Sequence, residues 1–520
     1  MSTSGSGFGQ PDLDALTRLA NQYFQEWPGK QELAAQTLPS SPPAPDWESG
    51  VPLGRTAAFP VSMPGEAELK AVLESLWSAA TDAATKTEAP QGWGAAPQWA
   101  QTTPTPSSAP FGAPFDVGLI RQDFPILREL VNGRPLVWLD NAATTQKPQA
   151  VIDRLKYFYE HENSNIHRAA HELAARATDA YEAAREKVRG FLNASSVKEI
   201  VFVRGATKAI NLVAQSWGRQ FIGKDDEIVI TWLEHHANIV PWQQLANEKG
   251  ARLRVAPVDD NGQILLDEYT KLLGSKTRLV AFPQVSNALG TVTPARQMIE
   301  SAHAVGAKVL LDGAQSVSHM PVNVQDLNPD WFVLSGHKIF APTGIGVLYG
   351  KEALLNQAPP WQGGGNMITD VTFERSLFQP APGRFEAGTG NIADAVGLGA
   401  ALDYVTKIGL PKIEEYEHQL LIYATRLLKD IPGLRLIGTA PEKAGVLSFV
   451  IDGQKTEDIG SALNREGIAV RAGHHCAQPI LRRFGVESTV RPSLAFYNTC
   501  EDIDRLITAL GRIAAVRPKL

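Results

Sequence analysis

The chain has 520 residues, 43% apolar and 20% charged, the proportions of an ordinary globular protein with room for two or three domains. A formal net charge of −6 argues against a dedicated nucleic-acid binder, which is usually basic, and no apolar run is long enough to predict a membrane span. Two cysteines, Cys476 and Cys500, cannot build a disulfide scaffold, so a reducing cytoplasm is the expected setting.

The opening Met1 to Gln10 is Ser/Gly-rich and lacks the charged-then-apolar pattern of a secretory signal. Residues 1–112 read as a Pro-rich extension. The first 110 residues hold 14 of the 35 prolines, and proline keeps helices and strands short. Pro39 to Pro45 and Thr102 to Pro110 read as extended linker. Two apolar islands interrupt it at helical spacing: Leu13, Leu16, Leu19, Tyr23 and Phe24, then Leu69, Val72, Leu73, Leu76 and Trp77. Neither is long enough to be stable alone. They fit helices packed on the main body as well as docking helices on a tether that fold against a partner.

From Phe115 the pattern becomes globular. Glu199 to Val203, Glu227 to Thr231, Arg278 to Phe282, Lys308 to Leu311 and Trp331 to Leu334 are short, apolar, β-branched runs, separated by helical patterns such as Ala295 to Ala304. Strands alternating with helices predict an α/β domain around a mostly parallel sheet, here residues 113–384, with ligands bound beyond the carboxyl ends of the strands. Residues 385–520 read as a smaller α+β domain of long helical segments and a few strands.

Chemistry-bearing residues gather just after those runs. Lys338, in Ser335-Gly336-His337-Lys338, sits among glycines and apolar residues. A partly buried amine of this kind has a lowered pKa and can form a Schiff base with a carbonyl cofactor. Asp312, in Asp312-Gly313-Ala314-Gln315, could be a metal ligand, a cap or a cofactor partner. An acid strand followed by a lysine strand at this interval suits pyridoxal phosphate (PLP), whose pyridine nitrogen needs a carboxylate to stay protonated. Gly205-Ala206-Thr207 lies between a strand and a helix, where free N–H groups bind phosphate. His235 and His236 follow another strand. Zinc is disfavoured there, because adjacent side chains do not easily share a tetrahedral ion, and an imidazole stacked on a flat ring is the better reading. Arg471-Ala472-Gly473-His474-His475-Cys476 is bracketed by Gly473 and Pro479, so Cys476 is expected on an exposed loop, where cationic neighbours favour a thiolate. Cys500 reads as the start of a helix, with no chemistry. Arg491 could pair a substrate carboxylate through two parallel hydrogen bonds.

Together, Leu139 to Pro148, Glu234 to Trp242, Asp312 to Gln315, Ser335 to Lys338, Arg384 to Thr389 and Arg471 to Cys476 closely resemble the Suf-type cysteine desulfurases, fold-type I, aspartate-aminotransferase-like PLP enzymes. The resemblance runs from about Phe115 to the C-terminus. It implies that Lys338 holds PLP, Asp312 pairs the pyridine nitrogen and Gln315 the ring hydroxyl, and His235 stacks on the ring and assists proton transfer. Ala206, Thr207, Ser335 and His337 would bind the phosphate, with Thr389 reaching in from the other subunit of a homodimer. Arg491 and Asn287 would hold the substrate carboxylate, His167 and Arg471 would line the pocket, and Cys476 would take the sulfur of L-cysteine as a persulfide, leaving alanine. No metal is implied. The sulfur would pass to a SufE-like protein, to iron–sulfur cluster assembly or to small thiols. Selenocysteine lyase is the alternative enzyme reading, and a non-catalytic shell-cargo or scaffold protein the alternative of another class. Plain Suf-type enzymes lack the extension. It resembles the Pro-rich cargo-loading extension of desulfurases packaged in encapsulin-type shells, which implies a shell as a further partner and compartment.

Overall fold

A computed structural model of the chain describes residues 115–166 and 171–515. The expectations for residues 1–112 and for His167 lie outside the described residues.

Seven strands make the large sheet: β1 (Ile200–Val203), β2 (Glu227–Thr231), β3 (Arg252–Ala256), β4 (Thr277–Pro283), β5 (Lys308–Asp312), β6 (Trp331–Ser335) and β7 (Gly346–Gly350). They lie in the order β1-β7-β6-β5-β4-β2-β3. Only β7 runs antiparallel, against β1 and β6; the other pairs are parallel. All five runs named from the sequence become strands. β3 and β7 were not expected. β3 is an edge strand whose two arginines break up its apolar run, and charge on an edge discourages pairing with another chain. β7 is bounded by glycines, which weaken a strand signal. The sheet requires the first of them, because a Cβ on Gly346 would come within 2.4 Å of the Gly205 Cα and 2.5 Å of the Leu334 carbonyl oxygen.

Both faces of this sheet are covered, as its near-continuous apolar strands require. Along β6, Phe332 and Leu334 enter one core, and Trp331 and Val333 the other. The first core is closed by α1 (Gln149–His161), α2 (Glu172–Leu192), α5 (Ala295–Ala304) and α6 (Ile392–Ile408), the second by α3 (Ala206–Val213) and α4 (Val240–Lys249). α6 packs on α1 and α2. Just ahead of α6, half-buried Glu386 accepts hydrogen bonds from the Phe202 amide at 2.8 Å and from Arg185 at 2.7 and 2.9 Å, and so ties α2 and β1 to the chain entering α6.

The second sheet is antiparallel, in the order β8-β9-β11-β10, from β8 (Leu434–Ile437), β9 (Ser448–Ile451), β10 (Arg471–Gly473) and β11 (Thr489–Arg491). α7 (Leu410–Lys429), α8 (Thr456–Arg465) and α9 (Cys500–Ala515) share a third core with it. The segment Val137–Trp138 pairs in parallel with Ile468–Ala469, so Val137 and Leu139 are buried here rather than under the large sheet. Cys500 is the exposed first residue of α9. Among the described residues no helix is long and apolar enough to cross a membrane.

Candidate active site

Parallel strands bring their carboxyl ends to one edge of the sheet, and β4, β5 and β6 end there in Pro283, Asp312 and Ser335. These residues line a cavity of about 420 Å³, within the usual range for small-molecule sites. The start of α3 adds Ala206 and Thr207, the loop after β2 adds His235, and the turn after β6 adds His337 and Lys338. From the second sheet come Arg471 and Arg491, directly opposite each other on β10 and β11, and the loop after β10 carries Cys476. Asn287 and Gln315 complete the wall. The cavity thus gathers every predicted site residue except two. His167 lies outside the described residues, and Thr389, expected to act across a subunit boundary, is exposed and faces a separate depression beside Arg204 and Lys208.

Burial sets the charges. Loss of water pulls the Lys338 amine down to about 8, with Asp312 opposing and Arg491 adding to the shift. Asp312 is pushed up by burial, held back by the Ala314 N–H at 2.9 Å and by Lys338. His235 is driven down to about 3, by burial first and then by Lys338 and His236, so it is neutral near pH 7. Its Nδ1 accepts the Ala237 N–H at 3.0 Å, which leaves the proton on Nε2. Arg491 is lowered to about 10 by burial, partly offset by Asp140, and stays cationic. One of its terminal nitrogens donates to the Asn287 carbonyl at 2.7 Å and the other to Asp140 at 3.4 Å. Cys476 is exposed.

Several residues of this site carried no role in the sequence reading. The segment Asp140 to Lys147 lay within the Leu139 to Pro148 motif, but none of its residues was given a task. In the fold it braces Lys338 from behind. The Thr144 hydroxyl (3.0 Å), the Thr145 N–H (3.0 Å) and hydroxyl (3.2 Å) and the Lys147 amine (3.3 Å) all donate to the carbonyl oxygen of His337. The Thr145 hydroxyl also accepts the N–H of Phe340, which is held at φ 63°. Gln315 donates to the Ala142 carbonyl at 2.8 Å. Glu234 is fully buried and accepts from the Thr231 N–H and hydroxyl and from Asn238 at 3.0, 2.7 and 2.6 Å, which fixes the chain leading into His235.

These donors fit PLP with an amino acid. The Arg491 Nε and the Asn287 Oδ1 are buried and have no partner among the described residues, as expected of groups that await a carboxylate and its amine. The start of α3, where the Ser335 hydroxyl accepts the Ala206 N–H at 2.9 Å, offers an N-terminal dipole and hydroxyls to a phosphate. Asp312 would meet the pyridine nitrogen and Lys338 the aldehyde. One consequence is a pH profile. Only the neutral amine attacks an aldehyde, and a pKa near 8 leaves about a tenth of Lys338 neutral at pH 7, roughly three-hundredfold more than an ordinary lysine. The rate at which cofactor-free protein takes up PLP covalently, followed by visible absorbance, is expected to rise with pH, level off above about 8 and show no further rise near 10.5. A midpoint near 10.5 would mean that Lys338 is not the attacking amine, or is not buried.

Comparison with known proteins places the chain. Residues 137–506 match the aminotransferase class-V family. A cysteine desulfurase of Synechococcus elongatus is 73% identical over 399 residues, 77% of this chain and 64% of the relative, so the chain spans less than two thirds of that protein's length. A cysteine desulfurase of Pectobacterium atrosepticum is 52% identical over 77% of this chain and 98% of its own length. The crystal structure of the Escherichia coli cysteine desulfurase CsdA, in an S-sulfonic acid form, superposes with a TM-score of 0.72 at 40% identity, over 76% of this chain and 98% of that one. The chain belongs to the aminotransferase class-V family, and its cofactor is pyridoxal phosphate.

Proposed function

We propose that the chain is a Suf-type cysteine desulfurase that moves the sulfur of L-cysteine onto Cys476 and releases L-alanine. One observation carries the reading: an exposed thiol on a loop opens into the same cavity as a buried lysine and a buried carboxylate. A transaminase has no use for that thiol.

Arg491, with its unpartnered Nε, binds the substrate carboxylate, and Asn287 sits beside it. PLP, when bound, supplies an electron sink that labilises bonds at the amino acid's α-carbon and, through it, the sulfur on the β-carbon. The neutral amine of Lys338, its pKa already lowered by burial, takes the α-proton and returns it. His235, neutral at Nδ1 and carrying its proton on Nε2, lies along the cavity wall and relays protons without adding a positive charge. The Cys476 thiolate attacks the substrate sulfur. A sulfur–sulfur bond forms as the carbon–sulfur bond breaks, the electron pair left on carbon takes up a proton, and alanine departs. The persulfide on Cys476 then passes its outer sulfur to an acceptor thiol, on a SufE-like protein feeding iron–sulfur cluster assembly or on a small molecule.

The enzyme works as a homodimer in which Thr389 of each subunit reaches the phosphate held by the other. His167 lines the pocket, and Arg471 guards its mouth. The Pro-rich residues 1–112 load the enzyme into an encapsulin shell through their two apolar islands. Composition and the spacing of those islands support this, and the family match begins only at residue 137. Removal of residues 1–110 should leave desulfurase activity intact and abolish co-purification with a shell. Activity lost along with the extension would count against a loading role. The reaction itself is tested by incubating purified, PLP-loaded chain with L-cysteine and a thiol reductant. Alanine and sulfide should appear in equal amounts, and pyruvate in place of alanine would overturn the assignment.

A further inference from the structure

The second histidine of the pair, His236, has no part in the chemistry above, yet it contacts the nucleophile's loop twice. Its backbone N–H donates to the carbonyl of Cys476 at 2.7 Å, and its Nε2 accepts the N–H of Gln478 at 3.3 Å. The imidazole must be neutral to accept there. Burial, with His474 nearby, lowers its pKa and keeps it so. The loop needs such support. His475 and Cys476 stand at φ 52° and 53°, two successive non-glycine residues in the left-handed region, which relaxes unless the surroundings hold it. Other supports share the task. Asn287 donates to the His475 carbonyl at 2.7 Å, the His475 ring bonds the Thr489 hydroxyl at 2.8 Å, the Cys476 N–H donates to His474 Nδ1 at 3.1 Å, the Ala477 N–H donates to the His474 carbonyl at 2.9 Å, and the ring of His474 stacks on that of His236 with centroids 5.8 Å apart.

We infer that His236 is a positioning residue for Cys476: it clamps the left-handed turn of the nucleophile's loop onto the loop that carries His235. The adjacent histidines then divide the work. One faces the cofactor cavity, and the next fixes the thiol that must reach the same cavity. A one-ångström misplacement of a reacting group is enough to slow a step about 10²-fold. The sulfur-transfer step should therefore depend on the acceptor at Nε2, while substrate binding and proton removal should not. The inference rests on the proposed persulfide role of Cys476.

The test uses PLP-loaded full-length chain in three forms: unaltered, His236→Ala and His236→Gln. Glutamine restores an acceptor at about the reach of Nε2. Each is mixed with L-cysteine. Stopped-flow absorbance reads the cofactor's response, and acid quench followed by mass analysis of the peptide reads sulfur on Cys476. In His236→Ala the absorbance change should keep its rate and its KM while sulfur arrives on Cys476 about 10²-fold more slowly. His236→Gln should recover most of that loss. Three results would overturn the clamp: equal sulfur-loading rates in His236→Ala and the unaltered chain, equal slowing of both signals in His236→Ala, or a glutamine variant as slow as the alanine one. Absence of sulfur on Cys476 in the unaltered chain would overturn the proposed function and the clamp with it, and so stands apart from the other failures.

Discussion

Replacing Lys338 with alanine is expected to leave a folded protein that binds PLP without the covalent link and turns over L-cysteine about 10³-fold or more slowly, since a positioned acid–base group alone contributes about 10²–10⁴-fold. The size of the loss follows from the surroundings. The amine sits in a site that already lowers its pKa to about 8, so its uncharged form is plentiful near neutral pH, and no other lysine lines the cavity among the described residues. Four donors from Thr144, Thr145 and Lys147 hold the carbonyl just before it, so its backbone is fixed before substrate arrives. Stability should change little or rise, because the substitution removes a buried amine that lacks a close ion-pair partner. Replacement of the aldimine band by that of the free aldehyde, with PLP no longer fixed to the chain by borohydride, checks the structural half of this prediction, and alanine release checks the kinetic half. A Lys338→Ala chain that turns over normally would remove the basis of the assigned chemistry.

The second large effect belongs to Cys476. Cys476→Ala and Cys476→Ser should both keep the yellow cofactor and its absorbance change on mixing with L-cysteine, while sulfide release falls about 10²-fold or more as small thiols replace a positioned nucleophile. The contrast arises because the thiol enters the cavity from the exposed loop after β10, whereas the cofactor is held by residues of the large sheet. L-Selenocysteine gives the control. Selenolate is the better leaving group, so the same variants should keep much of their activity on it. Equal loss on both substrates would show that the substitutions damaged the site rather than removed the nucleophile. Equal retention on both would point to a selenocysteine lyase.

The sequence was most legible where local chemistry and period agreed. β2, β5 and β6 are unbroken apolar runs, and their carboxyl ends delivered Asp312, Ser335 and Lys338 to one edge without any knowledge of the partner strands. Less legible was whatever depends on distant neighbours. β7 hides behind glycines whose purpose is the close approach of Gly346 to Gly205, a contact more than a hundred residues apart in the chain. Thr144, Thr145 and Lys147 stood in the Leu139 to Pro148 motif, but no local rule says that they converge on the carbonyl of His337, or that Asp140 meets Arg491. His236 likewise reads as a spare imidazole until the loop of Cys476 is folded against it. The pair of buried Arg185 and Glu386 joins residues 201 apart in the chain, and nothing near either one announces the other. The second sheet was sensed only as a change of pattern, because β10 and β11 are three residues each, too short to show alternation.

The most direct measurement follows the sulfur atom itself. PLP-loaded chain is mixed with L-cysteine carrying an isotopic label in its sulfur, quenched without reductant, and digested, and the peptides bearing Cys476 and Cys500 are weighed alongside the alanine formed. The account predicts one labelled sulfur on Cys476 for each alanine in the first turnover and none on Cys500. Alanine released with the label absent from Cys476, or present on Cys500 instead, would contradict it.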